Sequence, residues 1–159
     1  MLKVGLAYGS SALAIAEALV VAGSDHPRHI IIDAHQDDFH DTGWATLVAA
    51  GLDSICSRIR QRSQIALLRL LAEELVAHAA FVDGSHLFHV VLVDLSYLQD
   101  LVRPGPYTWS VATAVRYFEF NLGWCTEPIM ASTRLRAFRL PDPRLEPNFK
   151  TFKPFGIEP

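Results

Sequence analysis

Hydrophobic and polar positions fall into blocks along this chain, short apolar runs ending in Gly or Asp followed by stretches with helical spacing. Such blocks predict a parallel sheet covered by helices, because crossover helices bury both faces of each strand and remove its polar alternation. The pattern predicts a first strand over Leu2 to Gly5, then a helix from about Ser10 to Val21 whose free N–H groups Ser10 or Ser11 would cap. "HIIIDA" reads as a second strand, β-branched and ending at Asp33. After a polar loop, "TGWATLVAAGL" reads as a short helix closed at Gly51.

Further along, "ICSRIRQ" predicts a weak strand and Gln64 to Leu75 an amphipathic helix. "AAFVDG" predicts a second strong buried strand, ending in Asp83, and Leu87 to Val102 a helix broken by Pro104 and Gly105. Ser110 to Asn121 has the spacing of another helix, while "WCTEPIM" and "RLRAFRL" read as two strands of a closing antiparallel hairpin. Pro141 to Pro159, with five prolines, is expected to be an irregular tail. The fold class is therefore α/β, a Rossmann-like, mainly parallel sheet with helices on both faces over residues 1–140, followed by a tail over 141–159. No internal repeat is visible.

Composition adds bounds. A chain of 159 residues suits one domain, since it can bury roughly two-thirds of its unfolded surface around a single core. Half the residues are hydrophobic and 19% charged, the balance of a folded soluble protein. A net charge of -3 without a Lys/Arg run gives no electrostatic reason to expect nucleic acid or an anionic membrane as partner. Cys56 and Cys125 have no CxxC spacing, which suggests neither a zinc site nor a disulfide and fits a cytoplasmic protein. The apolar stretch from Ala12 to Ala22 is interrupted by Glu17 and resembles neither a secretory segment nor a membrane span. Met1 directly precedes the first strand, which suggests a shortened version of something longer. Self-association into a homo-oligomer is left open.

The candidate chemistry begins at the first turn, where a strand leads through Gly5-x-x-x-Gly9 to a helix N-terminus. Glycines there let backbone approach a ligand, and the helix end offers unpaired N–H donors, although a plain tight turn would carry the same residues. Asp33, at the end of the second strand, is placed to accept hydrogen bonds from ribose hydroxyls, and Asp83 closes a third strand at the same sheet edge. Together the three strand ends point to a nucleotide-like ligand. His86 and His89 flank a helix start beside Asp83, and a histidine next to an acid can serve as general base, with packing or capping the equal alternative. The loop "DAHQDDFHDTG" crowds His35, Asp37, Asp38, His40 and Asp41 together, but the spacing matches no compact metal motif. A solvated loop is expected, with Asp41 or Thr42 capping the next helix, and no metal is assigned. Tyr107, Trp109 and Trp124 could stack on a ligand, but core packing is their commoner use.

In "VGLAYGSSALAIAEAL", "IIIDAHQ", "FVDGSHLFHVVLVDL" and "LVRPG", in that order, the chain resembles the class I methyltransferases that use S-adenosyl-L-methionine, in their small-molecule O-methyltransferase-like branch. The resemblance covers most of Leu2 to Gly105 and more loosely "ATAVRYFEFNLGW". It implies that Gly5, Gly9 and Ser11 line the methionine end of the cofactor, with Ala7, Ser10 and Ala34 also in the cofactor wall. It further implies that Asp33 holds the ribose and that Asp83, a cofactor contact, borders the reacting centre with His86. The chain departs from the family at two places. Lys3 stands where the family places an acid that helps bind the cofactor's amino acid end, which predicts weakened binding. Between Gly105 and the next helix there is room for no full strand, so one central strand of the family is expected to be missing, or else reduced to a stub over Tyr107 to Trp109. The expected function is methyl transfer to an oxygen or nitrogen of a small molecule, with a catalytically impaired nucleoside-binding protein as the rival. A nicotinamide-dependent dehydrogenase is disfavoured, because "GLAYGSS" lacks the GxGxxG that brings backbone up to a pyrophosphate.

Overall fold

The apolar blocks become strands and the periodic stretches become helices in an alternating order. The computed structural model describes residues 1–23, 25–103, 108–112, 127–131 and 135–139. Its elements are β1 (Leu2–Val4), α1 (Ser10–Val21), β2 (His29–Ile32), α2 (Thr42–Ala49), β3 (Cys56–Ile59), α3 (Ser63–Ala72), β4 (Ala80–Val82), α4 (Phe88–Leu101), β5 (Thr108–Ala112), β6 (Glu127–Ala131) and β7 (Leu135–Arg139). The strand order is β3-β2-β1-β4-β5-β7-β6. β1 pairs in parallel with β2 and β4, and β2–β3 and β4–β5 are also parallel. β7 runs antiparallel to both β5 and β6.

Strand pleating sends alternate side chains to opposite faces and so divides the core in two. Leu2, Val4, Ile30, Ile32, Ala80 and Val82 pack with Leu67 and Leu70 of α3 and with Val91, Leu95 and Leu98 of α4. On the other face Ile31 joins Leu6, Ala12 and Ala16 of α1 and Leu47 of α2. Lys3 lies opposite Ile31 in the β1–β2 register and therefore points to that second face.

Three expectations are corrected. Ser10 and Ser11 do not cap α1; Gly9 is its N-cap, in the left-handed conformation, and no side chain bonds the helix end. Asp41 is the N-cap of α2 but makes no capping bond, since its carboxylate accepts instead from Arg58 and Arg60. The missing strand is present. β5 lies parallel to β4, with Ala80 opposite Trp109 and Val82 opposite Val111, where a helix was expected from Ser110. Neither Pro104 nor Pro106 falls within "TWSVA", so no ladder N–H is lost, and its Thr, Trp and Val suit a strand. So short an apolar run does not by itself distinguish a strand from a helix start. The remainder of the helix expected to Asn121 and the tail over 141–159 lie outside the described residues.

Candidate functional site at the carboxyl ends of the strands

The chain order reverses at β1, which has β2 on one side and β4 on the other. Crossover connections diverge at such a point and leave a crevice beyond the strand ends. A cavity of about 610 Å³ opens there, a size suited to a small organic ligand. Its walls are the β1–α1 turn from Gly5 to Ala7, the end of β2 from Asp33 to His35, the α3 start from Gln61 to Gln64, the stretch Asp83 to Ser85, and Leu87 and His89 at the start of α4.

Gly5 has φ +88°, and a Cβ built on it would lie 2.2 Å from the Asp83 carbonyl oxygen and 2.6 Å from Gly84 Cα. The ends of β1 and β4 thus touch backbone to backbone, which only glycine permits. Gly9 serves a different neighbour. At φ +90° its Cβ would come 2.7 Å from the Gly43 carbonyl oxygen in α2, so its smallness lets α1 and α2 approach. Gly5, Ala7, Asp33, Ala34 and Asp83 are brought together around the cavity, whereas Gly9, Ser10 and Ser11 lie outside its wall.

Asp33 anchors the turn. Its Oδ2 accepts from the amides of Leu6 at 2.7 Å and Ala7 at 3.2 Å and from Gln36 Nε2 at 3.0 Å, and its Oδ1 accepts from the His35 amide at 2.7 Å. Burial pushes this carboxyl up, but the His35, Leu6 and Ala7 amides and the Gln36 side chain outweigh it and hold the group below its ordinary value. Gln36 is fully buried and also donates to the Ala7 carbonyl at 3.0 Å. It ties both ends of the clamp, yet sequence reasoning passed over it inside a polar loop.

Lys3 is 1% exposed. Its ammonium donates to the Gly5 carbonyl and lies 5.0 Å from the centre of the Phe81 ring. Burial lowers its pKa to about 8, against the opposing fields of Asp83 and Asp33. It stays mostly charged at neutral pH, so a buried cation sits behind the cavity wall.

His86 is exposed and outside the cavity wall, while His89 on the first turn of α4 lines it. Deeper in α4, burial pushes the fully buried Asp94 carboxyl up to about 6, with the Ser63 hydroxyl of α3 opposing. In the loop after β2, Asp37 and Asp41 face arginines of the neighbouring strand end, Arg58 and Arg60, at 2.6 Å. The Arg58 guanidinium also stacks over Trp44. No helix among the described residues is long and apolar enough to cross a membrane.

Comparison with known proteins places this geometry. A family model described as a methyltransferase domain matches residues 2–108. Among curated proteins, none matches the chain in sequence. Solved structures share the fold. The apo form of CalS11, a TDP-rhamnose 3'-O-methyltransferase of calicheamicin biosynthesis, is 15% identical, with 87% of this chain and 70% of that chain covered and a TM-score of 0.65. An O-methyltransferase from Bacillus cereus in complex with SAH is 15% identical, covering 87% and 72%, with a TM-score of 0.66. TomG from Streptomyces achromogenes, an O-methyltransferase of tomaymycin synthesis in complex with SAM, is 18% identical, covering 86% and 69%, with a TM-score of 0.60. With two-thirds of its length matched by the family model, the chain belongs to the methyltransferase-domain family and has the class I, S-adenosylmethionine-dependent methyltransferase fold.

Proposed function

We propose that this chain transfers the methyl group of S-adenosylmethionine to an oxygen or nitrogen of a small molecule. The observation that carries the proposal is the cavity itself, in which a glycine turn, an amide-clamped acid and the Asp83 stretch converge where β1 and β4 part. The residues present fit an adenosyl group. Gly5 to Ala7 offers close backbone approach, Asp33 and Ala34 form the edge for a ribose, and Gln61, Ser63 and Gln64 give polar partners at the start of α3. When bound, the cofactor supplies an electrophilic sulfonium methyl. The protein then has to align an acceptor with it and exclude water, which needs no covalent intermediate on the chain.

Asp83, after β4, and His89, in α4, line the cavity, and β4 lies across β1 from the β2 end that carries Asp33. His89 there can take the proton that an acceptor hydroxyl loses, a role for which the sequence offered both His86 and His89 and the resemblance favoured His86. We take the acceptor to be a small molecule rather than nucleic acid or a membrane component, because the chain carries net charge -3 and no basic run. The same composition, with Cys56 as a free thiol, supports a cytoplasmic setting.

A second reading, a nucleoside-binding protein with impaired transfer, is favoured by Lys3, a cation behind the cofactor's wall. The complete β5 favours an intact enzyme. Incubation with methyl-labelled S-adenosylmethionine and a panel of small phenols, sugars and amines decides between them. Label transfer to an acceptor, lost in His89→Ala and kept in His86→Ala, supports the enzyme. Calorimetric binding without transfer to any acceptor supports the second reading.

A further inference from the structure

Lys3 has no part in that transfer, yet its charge is held one carbonyl away from the cavity, since its ammonium donates to Gly5 O and Gly5 is a wall residue. The side chain is sealed from water at 1% exposure and fixed over the Phe81 ring, so counter-ions from solvent screen it poorly. Its acidic neighbours offset it only in part. The fields of Asp83 and Asp33 oppose that of Lys3, and both carboxylates line the cavity, so the lysine acts by reducing the attraction that they offer a cation. His29, on the same strand face, is held neutral by burial and by the neighbouring N-terminal ammonium and Lys3, so it adds no charge beside the lysine.

We propose that Lys3 lowers the cavity's preference for a cationic adenosyl ligand relative to a neutral one of the same shape. This rests on reading the cavity as an adenosyl site. S-adenosylmethionine carries a sulfonium and an ammonium against one carboxylate, for a net charge of +1. S-adenosylhomocysteine, left after methyl transfer, lacks the sulfonium and is neutral overall. Lys3 therefore weakens binding of the donor more than that of the product and shifts the balance toward product. A like-charge repulsion in a partly screened site corresponds to a change in affinity on the order of tenfold.

The test measures calorimetric affinities of S-adenosylmethionine and S-adenosylhomocysteine on the wild type, on Lys3→Met, which keeps the volume without the charge, and on Lys3→Gln, with circular dichroism to confirm folding. The expected result is a shift of the donor-to-product affinity ratio toward the donor by about tenfold in both variants, with product affinity changed less than threefold. Measurable binding of both ligands with the same ratio in wild type and both variants overturns the role of Lys3 and leaves the adenosyl site standing. Absence of binding by donor, product and adenosine to folded wild type overturns the adenosyl site and this role with it.

Discussion

Replacing Asp33 by Asn separates a residue that holds a ligand from one that holds the protein. In the wild type one carboxylate satisfies four N–H groups, three of them backbone amides of the β1–α1 turn and of the segment after β2. An asparagine offers one acceptor oxygen. If that oxygen keeps the Leu6, Ala7 and Gln36 donors, the new NH2 group faces the His35 amide, donor against donor. A hydrogen bond to a charged group is worth roughly 1.5–3 kcal/mol, and an orphaned donor adds its desolvation cost, so Asp33→Asn should destabilise the ligand-free protein by about 2–4 kcal/mol at pH 7. The acid's folded pKa is lowered, so its contribution is present above its ordinary value of 3.8 and is lost as pH falls toward the folded value. Urea denaturation of the two proteins at pH 7 and pH 3 reads both features. A variant as stable as wild type at pH 7, or more stable, would refute the clamp and return Asp33 to a purely ligand-binding role.

Asp94 is perturbed in the opposite sense, from 3.8 to about 6, so the native state holds its proton over that range and stability is lost as pH rises through about 6. Asp94→Asn should therefore stabilise the protein at pH 7.5 by up to about 3 kcal/mol and be near neutral at pH 3.5; an equal effect at both pH values in thermal melts would contradict this. Gly9→Ala should cost about 2–3 kcal/mol without ligand, because it combines a positive φ with a Cβ 2.7 Å from the Gly43 carbonyl oxygen, whereas a loss confined to ligand affinity would show that Gly9 serves the cavity after all. Leu67→Ala, at a fully buried α3 position against the sheet, should lower stability by about 2–5 kcal/mol in urea melts, and a change under 1 kcal/mol would count against the packing of that face.

The parallel core was legible because Ile30 to Ile32 and Ala80 to Val82 are continuous apolar runs, and only burial on both faces favours such runs. The acids closing them, Asp33 and Asp83, were placed at the sheet edge by the same logic and are found there. Periodicity is blind to partners distant in the chain. Gly9 looked like part of a ligand cradle, but its neighbour is Gly43, which no local pattern links to it. Gln36 sat unnoticed in a polar loop because its worth comes from a fold that brings Ala7 and Asp33 within reach of one amide. β5 was misread because Val111 and Ala112 fit the first turn of a helix as well as a strand, and its parallel pairing to β4 is non-local.

The central claim is that an adenosyl ligand sits between the ends of β1, β2 and β4, and its most direct test is a titration of isotope-labelled protein with S-adenosylhomocysteine followed by amide NMR. The account predicts saturable shifts at Gly5, Leu6, Ala7, Ala34, His35, Asp83 and Gly84, with the amides of α2 beyond Gly43 little changed. Saturable shifts confined to residues outside that cavity, or none at millimolar ligand, would contradict it.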